Sequence, residues 1–279
     1  MGKLERLFHK LKWNSIRNLW KRLFWRWRSY YHVEANRFMI WWDADMWANW
    51  ELIGGPMGRI TFKTGLPWGR VHPDHPFQVM GLNSVIEHKI VSVMEEDKGR
   101  IDLTIIPNHQ TVYSNGNTYN PEIDAGCIYS EQEFLYGEFE LECTLADKGQ
   151  WLAFWLLGDH GWPPEIDIFE FFPSELKISD RKRKLSTTIH YKPDNTMDGS
   201  GIHIPNQVGR TFVGLRWLPD SLEFFYNGIS YLKLNNSELL RKHFNKPMRI
   251  IVGTGVKEDY DDDVFGSTFK VHNITYKSL

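Results

Sequence analysis

Two cysteines in 279 residues are too few to staple the chain, so its stability must come from a buried core. In Gly137–Cys143 the alternation sets Cys143 beside Phe139 and Leu141 on an apolar face, and Cys127 falls in the strand before it. A disulfide is allowed but not implied, and two small core residues are the favoured reading. No stretch approaches the ~20 uncharged apolar residues that a membrane-crossing helix needs. There is no glycine-rich phosphate loop, no zinc-type Cys/His spacing and no internal repeat, which sets aside the functions those signals carry. The formal net charge is only −2, so no nucleic-acid partner is expected. Residues 1–32 do not read as a conventional secretory leader either. Basic residues interrupt every apolar candidate near the N-terminus, and no small-residue cleavage site follows.

Aromatic residues, by contrast, are plentiful, with 13 Trp, 11 Tyr and 17 Phe. Sugar-binding clefts are one cause, because pyranose rings stack on indole faces; a heavily aromatic core is the other. Charge is abundant locally. Residues 1–32 carry nine Lys/Arg and one Glu, a balance of +8, which leaves 24 Lys/Arg and 34 Asp/Glu, or −10, for the rest. Leu4, Leu7, Phe8 and Leu11 form one helical stripe; Ile16, Leu19, Trp20, Leu23, Phe24 and Trp27 form a second, rotated from the first. Asn14 or Ser15 sits at the slip and can cap a second helix. The pattern predicts a basic amphipathic helical extension over 1–32. Such a helix lies on an anionic membrane surface, or it packs on its own domain or a partner protein.

One stretch concentrates chemistry: Trp162-Pro163-Pro164-Glu165-Ile166-Asp167-Ile168-Phe169-Glu170-Phe171-Phe172. In a strand, alternate side chains share a face, so Glu165 and Asp167 point together. Strict alternation would send Glu170 to the opposite face. One extra residue, a β-bulge near Ile168-Phe169, returns it to the face of the other two. Three crowded acids repel one another, and a purely structural strand has little reason to collect them. An edge strand with an acidic solvent face is the bland alternative, and the flanking aromatics argue against it.

The spacing Glu-x-Asp-x-x-Glu resembles the active-site signature of glycoside hydrolase family 16, in the bulged form typical of laminarinases, agarases and κ-carrageenases. The likeness continues in order through Ala125–Ser130 and Phe134–Glu140, then through the aromatic strand Trp151–Leu157, and covers roughly residues 98 to 279. It implies an all-β fold: a concanavalin A-like jelly-roll sandwich of two antiparallel sheets over 33–279, with substrate on the concave sheet. It also implies an endo-acting, retaining glycoside hydrolase of β-linked polysaccharide. Glu165 would be the nucleophile, Glu170 the acid and then base, and Asp167 the neighbour that tunes Glu165. No cofactor is implied. A glycan-binding module of the same fold, lectin-like or part of a virus particle, is the rival reading. The crowded carboxylates disfavour it.

Trp151, Trp155 and Trp162 are the candidate sugar platforms, with Trp68 and Phe172 in reserve, and at least one of the three tryptophans is expected to pack in the core. In the family a Thr-Ile-His-Tyr-like strand lines the cleft, so His190 in Ser186–Tyr191 is a substrate contact by resemblance and a structural histidine otherwise. His72 and His75, three apart beside prolines, lack a third ligand nearby and read as a loop rather than a metal site. The acidic run Glu258–Asp263 offers oxygen ligands for a structural calcium, yet lacks an EF-hand pattern and reads as a solvated loop. Arg181–Lys184 is a solvated basic loop or a contact for a sulfated or uronic sugar. Asn227-Gly228 between two alternating runs predicts a type I′ hairpin, and Ser237–Phe244 a short helix. Residues 33–97 match the family poorly. The family implies extracellular action, and cell lysis or carriage on a virus particle would serve for a chain without a conventional leader. The polysaccharide stays open between laminarin-type β-1,3-glucan, agar and carrageenan.

Overall fold

The computed structural model describes residues 39–42, 50–54, 58–72, 74–88, 100–146, 149–171, 182–191, 197–205 and 210–279. The helical extension expected over 1–32, Phe172 and Arg181 lie outside the described residues.

The hard-to-read N-terminal third carries β1 (Met39–Trp42), β2 (Trp50–Gly54), β3 (Gly58–Thr64), β4 (Gln78–Met80) and β5 (Val85–His88). Next come β6 (Arg100–Pro107), a small hairpin of β7 (Val112–Ser114) and β8 (Asn117–Tyr119), then β9 (Ile123–Ala125), β10 (Cys127–Phe134) and β11 (Gly137–Thr144). The central strands are β12 (Trp151–Leu157), β13 (Glu165–Phe171), β14 (Lys182–His190) and β15 (Met197–Pro205). The chain ends with β16 (Arg210–Trp217), β17 (Leu222–Tyr226), β18 (Ile229–Leu234), helix α1 (Ser237–His243), β19 (Met248–Gly255) and β20 (Thr268–Lys277).

The strands form two large sheets. The first runs β1-β2-β3-β10-β19-β12-β13-β14-β15, and the second β18-β17-β16-β11-β20-β6-β9-β4, with β5 also on β6. Neighbours pair antiparallel except β4 and β9, a parallel pair at the end of the second sheet. The chain crosses between sheets at Gly126. A Cβ there would sit 2.6 Å from the Leu103 Cα, so the crossing needs glycine. The expected hairpin forms between β17 and β18. Asn227 and Gly228 have φ of 48° and 75°, as a type I′ turn requires. Asn236 caps α1 by accepting the Leu239 amide.

The alternation of β11 is complete, every second side chain being buried. Phe139 and Leu141 from it meet Phe154, Ile168 and Phe171 of the first sheet in one core. Each such side chain contributes roughly 1.5–3 kcal/mol on burial. Both cysteines are free and buried. Cys143 belongs to the inter-sheet core and Cys127 to a smaller cluster on the other face of the first sheet. That second cluster includes Ala153, Trp155 and Ile251 from the sheet floor and Leu66 and Met80 from the N-terminal segment. The segment between β3 and β4 therefore packs on the face that carries the acidic residues.

Candidate active site

The bulge is where the spacing requires it. Trp155 stands opposite Asp167 and Phe154 opposite Phe169, so Ile168 has no partner on β12. On the other side, Asp167 faces Thr188 and Glu170 faces Ser186, with the register shifting between them. Ile166, Ile168, Phe169 and Phe171 all turn into the core, each no more than 1% exposed. Glu165, Asp167 and Glu170 are thereby left together on the opposite face. Thr187, itself buried, donates its hydroxyl to the Ile168 carbonyl at 3.0 Å and is hydrogen-bonded to the Tyr231 hydroxyl. The bulge is thus held from beneath by two side chains that the sequence pattern did not single out.

The three carboxyls are crowded and largely cut off from water. Burial pushes Asp167 well above the usual carboxylate range, and the charge of Glu170 adds to it. Burial likewise raises Glu165 strongly, helped by the Asp167 charge, and the two carboxyls share a hydrogen bond. Glu170 is raised by burial as well, opposed by the Trp151 indole N–H, which donates to its Oε1 at 3.3 Å. His190 Nε2 lies 3.1 Å from Asp167 Oδ2 and 3.9 Å from Glu165 Oε1. One ligand atom from each of Glu165, Asp167 and His190 falls within 4.8 Å of the others. These three could together hold a cation, although their polar atoms already have one another as partners.

The structure brings the other sequence candidates to this site in different ways. Trp151 is half-buried and bonds Glu170. Trp155, at 6% exposure, is the tryptophan that packs inside, in the smaller cluster on the site face itself and against the Trp151 ring. Trp162 is 49% exposed, with its ring 5.7 Å from that of His190. His190 faces the carboxyls directly, as a partner of Asp167. A cavity of about 830 Å³ opens beside Glu165 and Trp162. Trp68, His72 and Asp74 also line it; Trp68 was a reserve sugar platform, while His72 and Asp74 read as part of a loop. The Asp74 amide donates to His72 Nδ1 at 3.2 Å, so that nitrogen is not open to a metal. The acidic run near Glu258 contains a single 3-10 turn, Asp262–Val264.

A β-sandwich with three crowded acids of raised proton affinity on one bulged strand has the makings of the glycosidase class, whose chemistry needs an acid and a carboxylate side by side. The chain belongs to the glycosyl hydrolases family 16, whose family model matches residues 95–271. The endo-1,3-1,4-β-glycanase EglC of Rhizobium meliloti is 23% identical over 185 residues, 65% of this chain and 38% of that protein. The chain therefore spans well under half the length of this relative. Among solved structures, the laminarinase of Flavobacterium sp. UMI-01 superposes with a TM-score of 0.58 at 21% identity, covering 78% of this chain and 93% of that one. The laminarinase catalytic domain of Thermotoga maritima gives 0.53 at 22% identity, covering 73% and 84%. The sandwich is accordingly the jelly roll of this family.

Proposed function

We propose that this protein is an endo-acting hydrolase of β-linked polysaccharide, of β-1,3-glucan or marine galactan type, working by retaining double displacement. The observation that carries the reading is the bulge that sets Glu165, Asp167 and Glu170 on one face with raised proton affinities. In the first step a Glu165 oxygen attacks the anomeric carbon while Glu170 gives its proton to the leaving oxygen. The glycosidic bond breaks and a glycosyl ester of Glu165 forms. In the second step Glu170, now a carboxylate, takes a proton from water, whose oxygen displaces Glu165. Asp167 and Glu165 share a hydrogen bond, whose proton must pass to Asp167 for Glu165 to act as the anion, and His190 holds Asp167 in place. Retention, which needs the two reacting carboxyls roughly 5–5.5 Å apart, belongs to this proposal. The endo-1,3-1,4-β-glycanase and laminarinase activities named for the relatives favour the same reading.

The test is the anomer formed when azide replaces a missing carboxylate on an activated β-glycoside. Glu165→Ala should yield the α-glycosyl azide by direct displacement, and Glu170→Ala the β-azide from the covalent intermediate. The same anomer from both variants overturns the two roles, and full activity in either overturns the enzyme. We also propose, from charge alone, that residues 1–32 bind an anionic surface or a partner rather than the glycan.

A further inference from the structure

We propose that the cavity beside Glu165 takes an uncharged glycan and rejects sulfated or uronic sugars. The inference deepens the hydrolase reading and rests on it for the presence of glycan in the site. The lining supplies apolar faces, from Trp68 and Trp162, and carboxylates, from Asp74, Asp159 and Glu165. Among the described residues no lysine or arginine lines it.

Of the nearby groups that an anionic sugar would need, His190 faces Asp167 and Glu165, and His72 and Arg249 are engaged elsewhere. His72 Nδ1 accepts the Asp74 amide, a contact that favours the neutral ring because the accepting nitrogen must carry a lone pair. Burial, which lowers the His72 pKa, acts in the same direction. Arg249 donates Nε to Asp159 Oδ1 at 2.8 Å and a second nitrogen to Asp159 Oδ2. Its remaining amino group donates to the Ser130 and Glu131 carbonyls.

What the cavity offers a ligand is therefore mainly acceptors, with the Asp74 carboxylate at its exposed rim. Sugar hydroxyls donate to such groups. A sulfate ester has no proton to donate and adds like charge, which is rejection by repulsion rather than by shape. Lys184, the one residue of the basic run whose side chain is described, does not compensate. Ser186 pairs with Glu170 and His190 with Glu165, so Lys184 sits on β14 beyond Glu170. Six residues of strand, about 20 Å, separate it from His190.

Calorimetric titration of Glu170→Gln and of Glu165→Gln with size-matched oligosaccharides tests this. The neutral set is laminari-, mixed-linkage gluco- and agaro-oligosaccharides, and the charged set is sulfated galactan oligosaccharides. At low salt the best neutral ligand should bind on the order of tenfold tighter or more than any sulfated one. The gap should narrow as salt shortens the screening length from about 10 Å toward 3 Å. Asp74→Lys, a change at an exposed rim, should shrink the ratio roughly three- to tenfold at low salt. Equal or tighter binding of the sulfated set, no binding of any neutral ligand, or a ratio unmoved by Asp74→Lys overturns the inference. Reducing ends released by the unmodified protein are scored separately. Neutral ligands that bind without being cut support the charge selection and overturn only the hydrolase.

Discussion

Asp167 is 4% exposed and sits between two other acids on one face. That arrangement is unfavourable to folding at neutral pH, and the sign can be worked out. All three carboxyls have folded-state pKa values raised above the ordinary 3.8 and 4.5. Each therefore binds its proton more tightly folded than unfolded. The stability they contribute is complete below those ordinary values and is lost as pH rises through the raised ones. Glu165→Gln removes one charge at nearly constant shape. It should raise the melting temperature at pH 7, by about 2–4 °C for each kcal/mol relieved, while activity falls ~10²-fold or more. Scanning calorimetry at pH 7 and below pH 4 checks it; a gain that persists unchanged in acid contradicts the charge argument. Trp151→Phe is a second case. The indole bond favours the charged form of Glu170, so its loss should move the basic limb of the activity–pH profile to higher pH. A limb that stays in place means that Glu170 is not the acid.

Strand β13 is the element on which the site depends, and the bulge is its one irregularity. A bulge takes a residue out of the ladder, and here the buried Thr187 hydroxyl donates to the Ile168 carbonyl and is hydrogen-bonded to Tyr231. Thr187→Val keeps the shape and removes the donor. Leaving a buried carbonyl and the Tyr231 hydroxyl without this partner should cost about 1–3 kcal/mol. The Asp167-to-Glu170 offset should loosen with it, so kcat should fall more than KM changes. Denaturant unfolding and steady-state kinetics on the same variant read the two effects. Full stability with wild-type kcat places the support of the bulge elsewhere.

At the scale of the whole molecule, charge is segregated along the chain, +8 in residues 1–32 and −10 in the rest. Each Lys or Arg near an anionic leaflet contributes roughly 1 kcal/mol. The full-length protein should therefore sediment with anionic vesicles at low salt and release as salt is added. Removal of residues 1–32 should abolish this and leave turnover of a soluble oligosaccharide nearly unchanged. Oligomers that the truncation dissolves, without vesicle binding, point to a partner-docking segment instead. An unfolded truncation product means that the stripes pack on the domain.

Much of the site was legible in eleven residues, because the signal there is local. Period-two alternation interrupted once is enough to place Glu165, Asp167 and Glu170 on one face and Ile166, Ile168 and Phe169 on the other, whatever the rest of the chain does. The Asn227-Gly228 turn and the alternation of Gly137–Thr144 are equally local. The surroundings of the carboxyls are another matter. That Trp151 bonds Glu170, that Trp155 packs inside while Trp162 faces out, and that His190 bonds Asp167 depend on which strands become neighbours. That Thr187 and Tyr231 hold the bulge depends on packing between sheets. The cavity wall of Trp68, His72 and Asp74 comes from a segment some ninety residues before the acids in the sequence. Its local composition marks a turn and offers Trp68 as a candidate platform, but nothing in it shows that it reaches the acids. Alternation along one strand was enough to place the acids; what surrounds them was decided by long-range packing, which no local period encodes.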